Sequence, residues 1–316
     1  MASILIKLPN WMGDILFAYD LLYTLSMKFD RLGLLTLRQH ADIHRVFPIP
    51  RSTIIPHDPQ VWPQLDRETV LQIEDFNPDL GLVLPNSIGA SLSLRLAGIS
   101  PLLGYATEHR GFLLKRKLAA PNHRMHQSLY FLTLLELFGA RPVSYPIDIK
   151  ETKQNLIVIH PGASKMERAW SLDRFKKLAQ HLRKEGFTVK FVASHPIEGE
   201  EALVHPPLWV FAELLRDCSL FIGNDSGPLH LAQQCGAAVL GIYGPGDPRI
   251  TGPRTITPSR IVYHSFPCSP CRQRFFRECD PSSEGKPYCI DTISSEEVIR
   301  MAMDLIHTAE EEETKV

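Results

Sequence analysis

Short apolar runs recur along the 316-residue chain, with helical patterns between them. SILIKL (3–8), GLLTL (33–37), DLGLVL (79–84), LIVIH (156–160), TVKFVA (188–193), LFIG (220–223) and AVLGIY (238–243) have the length of strands and polar flanks. Runs of this kind suit a parallel sheet buried on both faces. The clearest helix spans Ser171 to Glu185. Ser171 is its expected N-cap, Leu172, Phe175, Leu178, Ala179 and Leu182 share one face, and Gly186 supplies the stop. Leu129 to Phe138 reads as a buried helix. A last helix runs from Ser294 to about Thr308, with Val298, Ile299, Met301, Ala302 and Leu305 apolar. The EEEE run at 310–313 reads as a solvated, disordered tail. Alternation of strands and helices through most of the chain predicts an α/β fold with right-handed crossovers.

At ~100–200 residues per domain, the length predicts two α/β domains, each with its own core. Pro142, Pro146 and the polar run KETKQN (150–155) interrupt the pattern before a new strand begins. The expected domains are therefore 1–150 and 151–293, followed by a C-terminal helix and acidic tail at 294–316. Hydrophobic residues make up 44% and charged residues 22%, and the formal net charge is −1, so the global balance draws the chain to neither nucleic acid nor membrane. No segment approaches the ~20 apolar residues of a membrane span. The N-terminus lacks the features of a signal peptide, so the expected location is the cytoplasm.

Three motifs carry chemistry. In the first, PNWMGD (9–14), a strand ends at Pro9 and a helix begins near Asp14. Ligands of open α/β sheets sit beyond the carboxyl ends of strands, and Gly13 permits a close backbone approach there. Asp14 reads either as a helix N-cap or as a carboxylate at the mouth of a site. A helix N-terminus lowers its basicity, so Asp14 suits the role of a positioned proton acceptor. In the second motif, the strand ending at His160 leads through Pro161, Gly162, Ala163 and Ser164 to Lys165, Arg168 and Trp170. Cations between a strand end and a helix suit a pyrophosphate, and surface charge is the plainer reading. Trp170 reads as a packing residue.

The third motif, NDSGPLHLA (224–232) followed by YGPGDP (243–248), is the most informative. Ser226 and Gly227 place N–H groups and a hydroxyl at a helix N-terminus, which is an anion site. Asp225 holds the loop or accepts from a sugar hydroxyl, and His230 faces the same pocket or packs in the core. A second loop begins at Gly244. The chain has neither a GxGxxG after a strand nor a GxxxxGK[ST], which weakens dinucleotide and P-loop readings.

Together these motifs resemble the lipopolysaccharide heptosyltransferases of glycosyltransferase family nine. The similarity covers nearly the whole chain. PNSIGASLSLRLAGI (85–99) and GYATEHRGFLL (104–114) resemble the heptosyltransferase II branch. The resemblance implies a GT-B fold, two Rossmann-like parallel-sheet domains facing a cleft, the first for the acceptor and the second for the nucleotide-sugar donor. It implies inverting, metal-independent transfer from ADP-L-glycero-D-manno-heptose to the lipopolysaccharide inner core, with domain closure excluding water. Asp14 matches the family's catalytic acidic position. Asp225, Ser226, Gly227 and His230 match the donor loop, and Ser164, Lys165, Arg168 and Gly244 join them. Family members usually carry Lys-Arg before the tryptophan. Arg168-Ala169 stand here, which removes a charge that Lys165 offsets and leaves the donor contacts open.

Asn10 and Asn86, within the matching motifs, are assigned to the acceptor side with Arg95, His109 and Arg110. Arg95, His109, Arg110, Lys115, Arg116, Lys117, His123, Arg124 and His126 form a local basic excess suited to an acidic glycolipid. Phe112, Leu113 and Leu114 suit peripheral contact with the inner membrane surface. Cys268, Cys271, Cys279 and Cys289 are expected to be reduced structural thiols, with a tetrahedral zinc site as the alternative. Cys218 and Cys235 read as core. No resident cofactor and no nucleic-acid partner are expected. Two other functions remain open: a glycosyltransferase of the same fold with another nucleotide sugar or acceptor, and a non-catalytic nucleotide-sugar or lipid-core binding protein. Asp14 favours an enzyme, since a binder needs no acid there.

Overall fold

A computed structural model describes residues 2–58, 64–150, 154–254, 256–271, 273–277 and 279–313. The chain divides into two units, Met1–Pro146 and Ile147–Val316. The first is built on β1 (Ser3–Lys7), β2 (Arg31–Leu37), β3 (Ser52–His57), β4 (Leu80–Val83), β5 (Leu102–Tyr105) and β6 (Arg116–Leu118), in the order β3-β2-β1-β4-β5-β6. The second is built on β7 (Gln154–His160), β8 (Thr188–Ala193), β9 (Ala202–Val204), β10 (Cys218–Asn224), β11 (Ala238–Tyr243) and β12 (Ser259–Tyr263), in the order β12-β11-β10-β7-β8-β9. Every pairing between these strands is parallel.

The apolar runs occupy the sheet centres, as the pattern requires. β1 and β11 are buried at every position. The helix Leu172–Lys184 packs Phe175, Leu178, Ala179 and Leu182 onto the second sheet, and Val298, Ala302, Leu305 and Ile306 of the helix Ser295–Glu313 join the same core. Gly186, at φ +92°, ends the first of these helices in a backbone conformation that glycine adopts without a Cβ clash.

In each sheet the strand order reverses beside the first strand, between β1 and β4 and between β7 and β10. Chains leaving two such neighbours diverge to opposite sides, which opens a crevice at their carboxyl ends where ligands of α/β proteins bind. The segments following β1 and β4 carry Asp14 and Asn86. Those following β7 and β10 carry the Ser164–Arg168 loop and the Asp225–Ser226–Gly227 loop.

Some local expectations are corrected. Residues 127–138 form a short α-helix, Gln127–Leu132, and then a 3₁₀ segment, Thr133–Phe138, with Leu129 exposed. Leu172 is exposed at the start of its helix, and the Ser171 side chain makes no capping bond. The last helix continues through the EEEE run to Glu313, in keeping with glutamate's good helix propensity. Leu114 belongs to the core of the first unit, while Phe112 stands exposed.

Candidate functional site

In the first unit, the turn after β1 leads into a six-residue helix, Met12–Phe17. Trp11 occupies the N-cap, so Asp14 lies in the first helical turn and is not the cap. A carboxylate there gains from the helix dipole, which lowers its basicity. Burial acts in the opposite direction and prevails, raising the Asp14 carboxyl to about 6. Asp14 is therefore a carboxylate at neutral pH, yet basic enough to take a proton.

Just before this turn, Lys7 is buried at the end of β1 with its Nζ hydrogen-bonded to His57 Nε2. His57 Nδ1 lies 3.0 Å from the Asp58 carbonyl, so Nδ1 carries the proton and Nε2 accepts from the lysine. Burial lowers Lys7 to about 7 and His57 to about 4. This pair had no signal in the sequence, because β2 lies between β1 and β3 and the side chains meet only in the folded sheet.

The residues assigned to the acceptor side separate into two kinds. Asn10, Asn86, Arg95 and His109 are exposed. Asn86 is positioned by Tyr130, whose hydroxyl donates to its Oδ1 at 2.9 Å, and by Thr107, which donates to its carbonyl at 2.7 Å. Arg110 is different. It is fully buried, and its guanidinium donates to the carbonyls of Tyr105 (2.8 Å), Ser87 (3.2 Å) and Pro85. Its charge is turned inward, where it ties the segment after β4 to the end of β5, so Arg110 supports that surface without belonging to it. Lys115, Arg116, Lys117, His123 and Arg124 are exposed, and Arg95 donates to the Ile99 carbonyl at 3.3 Å.

In the second unit, Asn224 at the end of β10 links the two switch-point segments. Its Nδ2 donates to the carbonyls of Pro161 (2.8 Å) and Gly162 (3.3 Å), and its Oδ1 accepts from the Trp170 backbone N–H at 2.9 Å. Trp170 itself is buried, meets Phe175 edge-on, and donates from Nε1 to the Ile293 carbonyl at 2.8 Å, which makes it the packing residue the sequence suggests. Asn224 received no role from the sequence. Its only signal is its place at a strand end before Asp-Ser-Gly.

Asp225 is buried and holds the loop together. Its Oδ2 accepts from Arg168 Nη2 at 2.6 Å and its Oδ1 from Thr251 Oγ1 at 3.2 Å. Burial raises the carboxyl above its ordinary value against the opposing pull of Arg168 and Thr251. Arg168 also donates to the Asp225 carbonyl at 2.8 Å. Arg168 thus spends its charge on Asp225 and does not stand as a free phosphate cation, while Ala169 is buried. Ser226 occupies the N-cap of the helix Gly227–Gln234, with its hydroxyl turned to the Asn224 carbonyl at 3.1 Å, and His230 is buried in the same helix.

The glycines of the second loop fit tightly. A Cβ on Gly246 would stand 2.2 Å from Asp225 Oδ2, and one on Gly244 would stand 2.7 Å from Ile290 Cβ. Gly246→Ala is therefore expected to cost ~1–3 kcal/mol of stability, as overpacking does. Thermal melting of variant and wild type measures it, and equal melting temperatures would show that the loop yields freely.

Cys218 and Cys235 are buried, as expected. Cys268, Cys271, Cys279 and Cys289 are free thiols that border one cavity of about 300 Å³ with Phe266, Phe275 and Tyr288. Burial and the neighbouring thiols raise Cys289 to about 12. Among the described residues, no group of three or more His, Cys, Asp or Glu is arranged to hold a metal ion, and no helix is long and apolar enough to cross a membrane.

Comparison with known proteins adds a family. The model of glycosyltransferase family 9 (heptosyltransferase) matches residues 71–206 and 207–279. A lipooligosaccharide heptosyltransferase 2 of Campylobacter jejuni serotype O:2 is 25% identical over 335 residues, covering 96% of this chain and 98% of that relative. The structure of Escherichia coli ADP-heptose LPS heptosyltransferase II superimposes with a TM-score of 0.76 at 19% identity, covering 98% of this chain and 99% of that one. A family 9 glycosyltransferase of Veillonella parvula superimposes with a TM-score of 0.77 at 17% identity, over 97% and 98% of the two chains. These two likenesses establish the GT-B type of fold.

Proposed function

The chain belongs to glycosyltransferase family 9, the heptosyltransferases, and from that premise we propose that it moves L-glycero-D-manno-heptose from ADP-heptose onto the lipopolysaccharide inner core, as a heptosyltransferase II does. The observation that carries transfer, as opposed to mere binding, is Asp14: a carboxyl raised to about 6 at the switch point of the first sheet. The Campylobacter relative, a heptosyltransferase 2 by name, supports the choice of sugar.

The step is an inverting displacement that needs no metal. An acceptor hydroxyl oxygen attacks the anomeric carbon and gives its proton to Asp14. The bond from that carbon to the diphosphate oxygen breaks, and ADP leaves with the electron pair. Lys165 and the N-terminus of the helix Gly227–Gln234 offset the charge that develops on the leaving group. Asn10, Asn86, Arg95 and His109 bind the acidic acceptor. The exposed cations at 115–117, with Phe112, bring the chain to the inner membrane surface from the cytoplasm.

A second reading, another nucleotide sugar in the same fold, draws on the central motif. Arg168 is bound to Asp225 and Ala169 replaces a charge, so neither supplies a cation to the donor. Purified chain incubated with ADP-heptose, a Kdo-bearing lipid A and EDTA decides between them. A heptose-sized mass gain with matching ADP release, and an inverted anomeric configuration by NMR, is the expected result. Transfer only with another nucleotide sugar would support the second reading, and donor binding without transfer to any acceptor would support a binding protein.

A further inference from the structure

The commitment of Arg168 to Asp225 leaves a departing diphosphate one cation short, and the second unit carries replacements. Lys165 opens onto a cavity of about 790 Å³ that is also lined by Met166, Glu167, Arg274, Phe275 and Arg277. Three cations face one carboxylate there. Among the described residues, none of the three makes an ion pair. The Arg277 N–H donates to the Arg274 carbonyl at 3.0 Å, and this single turn brings both arginines to the same cavity. Lys165 Nζ stands 5.4 Å from the centre of the Phe275 ring, which joins the turn to the segment after β7. An open, net-positive cavity with two arginines matches a diphosphate, because the planar guanidinium binds phosphate oxygens in pairs.

We propose that Arg274 and Arg277 act with Lys165 as the cradle for the diphosphate of the nucleotide-sugar donor, in the place that the sequence motif gave to Arg168. This inference rests on the donor reading above. The cysteine-bearing segment then has a function beyond packing, since it presents the arginine turn. Phe275 borders both the cysteine cavity and the cationic one.

Calorimetric titration of wild type, Arg274→Ala, Arg277→Ala and the double variant with ADP, UDP, GDP and adenosine tests the cradle. Each single change is expected to weaken the bound nucleoside diphosphate ~10-fold and the double change ~100-fold, with a smaller salt dependence, while adenosine affinity is unchanged. Both arginines are exposed, so the variants should melt with the wild type. Undiminished diphosphate affinity in the double variant, with the wild type still transferring heptose, overturns the cradle and leaves the function standing. Arginine-dependent binding of UDP or GDP in place of ADP upholds the cradle and removes the ADP-heptose donor. A wild type that binds no nucleoside diphosphate removes both.

Discussion

Asp14→Asn is expected to slow heptose transfer by ~10²–10⁴-fold, the usual contribution of a positioned general base. Asparagine keeps the shape and cannot take the proton. The proposed donor contacts lie in the second unit, so ADP affinity should stay within about twofold, as expected when a lost interaction forms only in the transition state. The pH profile adds a second readout. Burial raises the Asp14 carboxyl to about 6, and the base works as the carboxylate. Wild-type kcat/KM should therefore rise with pH, bend near 6 and level off above it, and the bend should vanish in Asp14→Asn. A variant that retains most of the wild-type rate, or keeps the bend, would remove Asp14 from the role of base.

Arg168→Met should produce the largest loss of stability. It removes the partner of a buried carboxylate, since Asp225 Oδ2 accepts from Arg168 Nη2 at 2.6 Å. Leaving one charge of a buried pair uncompensated costs ~3–5 kcal/mol, whereas removing both is far milder. The double variant Arg168→Met/Asp225→Asn should therefore regain much of what the single variant loses in chemical denaturation. Donor affinity gives a second measure. If Arg168 serves only to hold the loop, the double variant should regain ADP binding along with stability. If stability returns and ADP binding does not, the guanidinium touches the donor after all.

The same pair shows how motif and structure divide the information. The family resemblance grouped Lys165, Arg168 and Asp225 on the donor side, and the fold brings them together because their strands are neighbours in the parallel sheet. It also gave Asp225 the role of holding the loop as one of two readings. Which of the cations would remain free could not be read, because pairing is set by side-chain approach across 57 residues of chain. Arg110 is a parallel case. As one of several basic residues in a row it read as acceptor surface, yet three carbonyls around it supply the hydrogen bonds that let a guanidinium be buried.

The edge strands carry a weak sequence signal for a related reason. β3, β6, β9 and β12 are the four edge strands, and the pattern of apolar runs marks none of them, nor the four-residue β5 inside the first sheet. An edge strand is only partly buried and tolerates proline and charge, as in STIIPH and RKL, so no continuous apolar run marks it. The arginine turn at 274–277 had no signal either. It lies in an irregular segment without periodicity, and only its folding against Lys165 reveals a common cavity.

The sequence by itself determined the α/β class, the central strands, the loops that carry the candidate site and the family, because hydrophobic period and strand-end motifs are local properties of the chain. Tertiary structure alone decided the strand order and its switch points, the burial that raises Asp14, and which charges are spent on each other. Those depend on groups distant in sequence sharing a space from which water is removed, where burial and pairing set each group's charge and availability.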